Sequence, residues 1–333
     1  MGKIYFETNK GAIYLGNCLD YLRTLEDGSV NLVVTSPPYA LIKKKKYGNE
    51  TSDEYLEWFR PFASEIFRVL ADNGSFVLNI GGAWNKGEPT RSLYHFKILI
   101  MLCEEYGFHL AQEMYYWNPS KLPNPAEWCT IRKIRIKDSI EPVWWLSKTP
   151  YPKASNQRVL QPYSKSMNNL FENGYDAKLR PSGHNISDKF MTKHNGSIPP
   201  NLLALPNTDS NSFYMKYCTE NNLPIHPARF PGALPEYFIR MCTDENDLVV
   251  DPFGGSCITG EMAEKLNRRW CCCDTMEDYV KGAIGRFSSE NLSQLESVVT
   301  PYCVYKPGYM WDTIPDDVLD QAGGSTRQKK EET

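Results

Sequence analysis

Residues 30–39 read VNLVVTSPPY, and the fold class follows from how this stretch is understood. Residues 31–34 are apolar and β-branched, bounded by Gly28-Ser29 before and a proline pair after, which predicts a buried strand of an α/β sheet. Pro37 and Pro38 fix φ, remove two N–H donors and hold the preceding residue extended. The turn at the strand's C-terminal end is therefore stiff, and the Ser36 and Pro37 carbonyls lack local donors. A rigid row of acceptors beside the Tyr39 ring suits a flat base bearing an exocyclic amino group. The plain alternative for the same residues is a strand ending in a Pro-Pro turn.

Upstream of it, residues 4–5 and 13–15 predict short strands around Asn9-Lys10-Gly11, followed by Gly16-Asn17-Cys18 and a helix over 19–25. After the strand at 31–34, Ser52-Asp53 caps a predicted helix through Tyr55, Phe59, Phe62, Ile66 and Leu70 that ends at Asp72-Asn73-Gly74. Residues 75–80 predict the next strand. Strand, helix, strand is a βαβ unit, so the two strands should be parallel neighbours. A helix over 93–106 and strands over 108–117 and 142–146 follow. Between the last two, IRKIRIK (131–137) alternates apolar and basic residues, predicting a strand that rests on the core and faces phosphate.

The 333 residues, 41% of them hydrophobic, are enough for one large α/β domain with an insertion. Ten cysteines would suggest disulfides in a short secreted chain, but MGKIYFETNK has no apolar signal core and no run reaches membrane-spanning length. A cytoplasmic protein with reduced thiols is expected. Cys271, Cys272 and Cys273 are consecutive, and no CxxC pair occurs, so no metal site is expected and these three read as core residues. With a net charge of −3, a nucleic-acid site requires local concentrations of base. Three occur: Lys43, Lys44, Lys45 and Lys46 directly after Tyr39; Arg132, Lys133 and Arg135 in the alternating stretch; and Lys165, Lys178 and Arg180 in a polar region over 149–212. That region is too long for structureless chain inside a domain, which favours a functional insertion contacting a partner.

Downstream, HPARFPGALP (226–235) precedes a helix over 236–242, and a strand over 248–250 leads into Asp251-Pro252-Phe253-Gly254-Gly255-Ser256. A helix over 258–266 and a strand over 270–273 ending at Asp274-Thr275 complete a nucleotide-binding pattern. Its acid lies about 20 residues after the first glycine, where a carboxylate reaches a ribose hydroxyl. The GxGxxG pattern of a dinucleotide site is not met, because Ser256 and Cys257 follow Gly254-Gly255.

Ser-Pro-Pro-Tyr at a strand end resembles the catalytic motif of amino-group DNA methyltransferases, in the form associated with cytosine-N4 enzymes. DPFGGS resembles the S-adenosylmethionine loop of the same family, and HPARFP resembles the segment lining the methionine end of that cofactor. The catalytic motif comes first and the cofactor motif far downstream, the permuted order of the family's beta group. The resemblance implies a Rossmann-like α/β methyltransferase sheet with an inserted target recognition region. The chain would divide into residues 1–148 (catalytic), 149–212 (target recognition), 213–290 (cofactor) and 291–333 (tail). It implies that Ser36, Pro37, Pro38 and Tyr39 are catalytic, with Tyr39 stacked on a flipped base. It further implies that Asn17, His226, Arg229, Phe230, Pro231, Asp251, Phe253, Gly254, Gly255, Ser256, Asp274 and Thr275 bind S-adenosylmethionine.

Two departures from the family pattern occur. Asn17 replaces an acid beside the adenine amino group, where its side-chain carbonyl still accepts; Cys257 replaces a glycine, which is tolerable if its φ is negative. Double-stranded DNA is the implied partner, with a cognate restriction endonuclease, and the protein acts as a monomer or homodimer. Adenine N6 as target, a dinucleotide-dependent oxidoreductase and a catalytically dead DNA-binding protein are the alternatives.

Overall fold

The protein is described by a computed structural model covering residues 2–40, 50–174, 192–207 and 211–293. The lysine run 43–46, together with Lys178, Arg180 and the tail beyond 293, lies outside the described residues.

The described strands are β1 (Lys3–Glu7), β2 (Gly11–Leu15), β3 (Val30–Thr35), β4 (Leu70–Asn79), β5 (His109–Trp117), β6 (Ile140–Ser147), β7 (Leu202–Ala204), β8 (Leu248–Asp251) and β9 (Arg269–Asp274). They form a single sheet in the order β1-β2-β9-β8-β3-β4-β6-β5-β7. From β2 to β4 all neighbours are parallel, whereas β6 is antiparallel to both β4 and β5. The C-terminal ends of β3, β8 and β9, the start of β6 and the end of β5 consequently share one edge. β7 belongs to the polar region after 149 and pairs in parallel with β5.

Along β3, Leu32 and Val34 enter one core cluster and Val33 the other, so both faces of this strand are buried. Helix α1 (Cys18–Leu22) follows β2, and α2 (Tyr55–Val69) joins β3 to β4. On α2, Tyr55, Phe59, Phe62, Ile66 and Val69 recur at helical spacing and are all buried, which holds the helix against the sheet. The helix does not run on to residues 72–74. Leu70 is already extended, at φ −66° and ψ 136°, and enters β4 directly. The Asp-Asn-Gly segment is absorbed as an irregularity in the β3–β4 register, between the pairs Val30/Leu70 and Leu32/Ser75. Helices α3 (Tyr94–Glu104), α4 (Lys165–Asn173), α5 (Phe213–Glu220), α6 (Ala233–Cys242), α7 (Ile258–Lys265), α8 (Glu277–Ala283) and α9 (Ser289–Leu292) complete the described elements. Cys271, Cys272 and Cys273 on β9 are buried. No described helix is long and apolar enough to cross a membrane.

The stretch 131–137 is not a strand. Residues 127–131 form a single π-helical turn, and 132–139 run as irregular chain from there to β6. Ile131, Ile134 and Ile136 are exposed, so the alternation does not put an apolar face on the core. The reason is side-chain pairing: Arg132 lies over the Trp128 ring at 5.0 Å and Arg135 over the Trp84 ring at 4.1 Å. These cation–π contacts, and an ion pair from Arg91 to Asp138 at 3.0 Å, hold the segment without a ladder.

Candidate active site

The expected catalytic and cofactor motifs end adjacent strands. Leu32 pairs with Val249 and Val33 with Val250, so the turns after β3 and β8 leave the sheet side by side. Asp251 joins them. Its Oδ1 accepts the Thr35 hydroxyl at 2.6 Å and the Phe253 N–H at 3.1 Å, and its Oδ2 accepts the Thr259 hydroxyl at 2.7 Å. Burial at 1% exposure raises its pKa to about 6, against the pull of the donors. The sequence pattern grouped Asp251 with the cofactor; here it lies beneath the cleft, tying the residue before Ser36 to the start of the glycine turn.

The cleft at this edge has a volume of about 510 Å³ and is lined by Ser36, Pro37, Pro38 and Tyr39 on one side and Gly254, Gly255, Ser256, Asp274 and Thr275 on the other. The Ser36 hydroxyl donates to the Tyr39 hydroxyl at 3.2 Å, which donates in turn to Glu141 Oε2 at 2.9 Å. Lys121 Nζ donates to the other oxygen of Glu141 at 2.8 Å. Burial, with Glu141 adjacent, pushes the Tyr39 pKa up and keeps its phenol protonated. With its proton committed to Tyr39, Ser36 Oγ faces the cleft as an acceptor. Among the described residues no donor satisfies the Ser36 or Pro37 carbonyl, whereas the Pro38 carbonyl is taken by the Tyr55 hydroxyl at 2.7 Å. The turn is held from below and open above.

Glu141, Lys121 and Asn79, all lining the cleft, were not singled out from the sequence. The available signal was weak: Glu141 is an acid at the head of an apolar strand, and nothing local indicates that β6 lies beside β4.

On the cofactor side the glycines are required sterically. A Cβ on Gly254 would stand 2.8 Å from Cys272 Cβ, and one on Gly255, at φ +52°, would stand 3.1 Å from the His226 ring. Asp274 Oδ2 accepts the Gly255 N–H at 3.0 Å and its Oδ1 the Met276 N–H at 2.7 Å. Two acceptor positions are thus used on the backbone and others remain for a ligand hydroxyl. We expect Asp274→Ala to weaken cofactor binding about 10- to 100-fold, the equivalent of ~1.5–3 kcal/mol for a hydrogen bond to a charged group, while the protein stays folded. Calorimetry with S-adenosylmethionine checks this, and an unchanged dissociation constant removes Asp274 from the site.

His226, Arg229, Phe230 and Asn17 also line the cleft; Pro231 does not, and its carbonyl accepts the Leu234 N–H. The His226 backbone N–H donates to the Tyr214 hydroxyl at 2.8 Å, and burial lowers the imidazole pKa to about 4, so the ring is neutral near pH 7. Asn17 Oδ1 caps α1 by accepting the Leu19 N–H at 3.0 Å, so it is shared between the fold and any ligand. Cys257 does not meet the condition of a negative φ under which it would replace a glycine freely. It adopts φ +57°, the left-handed region, at a cost of roughly 1–2 kcal/mol. Position 257 keeps the backbone of a glycine, with Cys257 buried in it at 1% exposure.

Two further supports left no local signal. Trp58 and Phe62 of α2 pack on Phe253, with ring centroids 5.6 and 5.0 Å away, and form an aromatic wall to the cleft. The buried Arg286 donates to the Ser256 hydroxyl at 3.1 Å and to Glu261 at 2.6 Å, lying over the Tyr214 ring at 4.5 Å. Of the basic residues expected to face DNA, Arg135 is turned inward onto Trp84 and the Pro89 carbonyl, and Arg132 is exposed but paired with Glu127 at 2.7 Å. Lys133 is exposed at φ 57°, and Lys165 is exposed at the first turn of α4.

A parallel-centred sheet with a glycine turn and a carboxylate at neighbouring strand ends, opening into one cleft with a Pro-Pro acceptor turn, defines an α/β transferase acting with a nucleoside cofactor. A DNA methylase family model matches residues 30–285, and the chain belongs to that family. The type II methyltransferase M.PvuII of Proteus hauseri is 47% identical over 292 residues, covering 87% of each chain. M.ScaI of Streptomyces caespitosus is 26% identical, covering 87% of this chain and 85% of its own. Among solved structures, the PvuII DNA methyltransferase (cytosine-N4-specific) superposes with a TM-score of 0.71 at 41% identity, over 87% of this chain and 93% of that one. A protein described as a DNA modification methylase of Thermus thermophilus, solved in complex with S-adenosyl-L-methionine, gives 0.53 at 20% identity, over 84% and 93%, which is a likeness of fold. The fold is thus that of the S-adenosylmethionine-dependent DNA methyltransferases, with the catalytic strand preceding the cofactor strand in the chain.

Proposed function

We propose that this protein transfers a methyl group from S-adenosylmethionine to the N4 amino group of a cytosine extruded from duplex DNA. The observation that carries the reading is the directed hydroxyl chain from Ser36 through Tyr39 to Glu141, which begins beside a proline-fixed carbonyl row in the same cleft as the glycine turn. The residues fit the cofactor: the glycines leave room that a Cβ would fill, Asp274 retains free acceptor positions, and Phe253, Trp58 and Phe62 offer an apolar wall for a flat base. When bound, the cofactor supplies an electrophilic methyl on its sulfonium.

The cytosine amino lone pair is delocalised into the ring and is a poor nucleophile. Ser36 Oγ and the Pro37 carbonyl, each accepting one amino hydrogen, favour a pyramidal nitrogen whose lone pair faces the methyl group. The proton shed by the methylated nitrogen passes to Ser36 Oγ as the Ser36 proton moves to Tyr39 and the Tyr39 proton to Glu141. The protein contributes position and a prepared acceptor path. Tyr39 is held by Ser36 and Glu141 at its hydroxyl, and its ring packs on Gly81, which leaves the other face for a flipped base.

Cytosine is preferred to adenine as the target on the likeness to the cytosine-N4-specific PvuII enzyme and on the Ser-Pro-Pro-Tyr form of the motif. Residues 149–212 serve target recognition, lying between a catalytic segment over residues 1–148 and a cofactor segment over 213–290. The protein works in the cytoplasm as a monomer or homodimer, protecting host DNA from a restriction endonuclease of the same site specificity. Nucleoside mass spectrometry of DNA modified in vitro tests the reading: N4-methylcytosine is expected, and N6-methyladenine as the sole product overturns the cytosine assignment.

A further inference from the structure

In the order of the sheet, the glycine turn and Asp274 lie on one side of β3, and β4, β6 and β5 follow on the other. The cleft runs on in that second direction, where Asn79 of β4, Glu141 of β6 and Tyr116 of β5 line it. Tyr116 and Glu141 stand opposite each other in the β5–β6 ladder, so their side chains leave the same face of the sheet. Glu141 is engaged elsewhere: one oxygen accepts the Tyr39 hydroxyl and the other Lys121 Nζ. Among the described residues the Tyr116 hydroxyl has no hydrogen-bond partner, although the residue is only 4% exposed. A buried hydroxyl left unpaired is unfavourable, and folded proteins keep few of them. Burial, with Glu141 beside it, pushes the Tyr116 pKa up, so the phenol holds its proton and is a donor. A ligand that enters the cleft as far as β5 therefore meets a hydroxyl whose proton is uncommitted.

With its amino group at Ser36 and its ring extending away from the glycine turn, a cytosine directs N3 and then O2 along this row. N3 adjoins the amino-bearing carbon, and O2 is the acceptor farther from Ser36 and nearer to β5. We propose that the Tyr116 hydroxyl donates a hydrogen bond to O2 of the extruded cytosine and so selects cytosine over adenine. The inference rests on the base-extrusion reading above and names the group that recognises the base. An adenine with its amino group at Ser36 presents a C2–H where cytosine presents O2, which leaves the hydroxyl unpaired. A site built to pair with a polar atom of its substrate strongly rejects an analogue that lacks it. Tyr116 touches the ring and takes no part in the proton path from Ser36 to Glu141.

The test uses the full chain, S-adenosylmethionine and synthetic duplexes carrying the methylated site as mapped by sequencing. One duplex has cytosine at the target position; another has 2-thiocytosine, whose sulfur is a weaker acceptor than O2. Tyr116→Phe removes the hydroxyl and keeps the buried ring. We expect it to lower the single-turnover rate at least tenfold on the cytosine duplex, with cofactor affinity unchanged. On the 2-thiocytosine duplex the variant should come within about threefold of the wild type, because the contact it lacks is already weakened there. Transfer to adenine at the target position should be no slower in the variant than in the wild type. The midpoint of urea unfolding should not fall, since the hydroxyl lost has no partner in the free protein. A wild-type rate on cytosine, an equal loss on both cytosine duplexes, or a lowered unfolding midpoint would overturn the assignment. Absence of methyl transfer to DNA by the wild-type protein, or N6-methyladenine as its sole product, would instead sink the reading on which it rests.

Discussion

Replacing Ser36 by alanine is expected to lower kcat by roughly 100- to 1,000-fold while the S-adenosylmethionine dissociation constant stays within about threefold of wild type. The magnitude is that of removing one preorganised hydrogen-bonding group aimed at a reacting centre. The Ser36 hydroxyl makes a hydrogen bond to Tyr39 at 3.2 Å and none to the glycine turn, so cofactor binding has no reason to change. The ground-state amino group is nearly planar, and the interaction strengthens as nitrogen becomes pyramidal; the loss should therefore appear in kcat more than in KM for DNA. Single-turnover kinetics with titrated cofactor check both halves. A variant that loses cofactor affinity in proportion to rate would place Ser36 in the cofactor site instead.

The second large effect is on stability. Asp251→Ala removes the acceptor of two buried hydroxyls, Thr35 and Thr259, and of the Phe253 N–H. At ~1–3 kcal/mol for each buried donor left unpaired, offset by relief of an expensively buried carboxyl, the net loss should be about 3 kcal/mol, read by urea unfolding. Methyl transfer should fall as well, because the two turns lose their common anchor.

The pH dependence has a defined sign. Because the native carboxyl titrates near 6 and the reference value is 3.8, the folded protein holds a proton between these values that the unfolded chain has released. Asp251's titration therefore adds stability as pH falls through about 6, is complete below about 3.8, and is absent at neutral pH. The stability difference between wild type and Asp251→Ala should widen on acidification from pH 7 to 5. A difference that narrows would contradict the raised value.

The features legible in the sequence were those whose signals are local. The strand before Ser36 is marked by its β-branched run and two prolines, and the turn after β8 by paired glycines that the packing of Cys272 and His226 requires. What escaped was set by contacts between distant residues. Thr35 and Asp251 are 216 positions apart, and Tyr39 and Glu141 are 102 apart; neither pair has a spacing that carries a signal along the chain. Asp251 accordingly reads as a ligand residue when its side chain braces two strands. The stretch 131–137 shows the converse error. Its alternation mimics a half-buried strand, but Trp84 and Trp128 claim the two arginines, and the isoleucines remain in water. Cys257 illustrates a third case, in which the backbone keeps a left-handed geometry although the residue type argues against it.

The turn after β3 and the turn after β8 together form the proposed amino-methylating site for cytosine in DNA. The decisive measurement is sequencing of DNA from a methylation-free host expressing this protein, with modification type and sequence motif determined together and Ser36→Ala as control. N4-methylcytosine at a single recurrent motif is expected, with unmodified DNA in the control. Unmodified DNA from the wild-type protein, or equal methylation with and without the Ser36 hydroxyl, would contradict it.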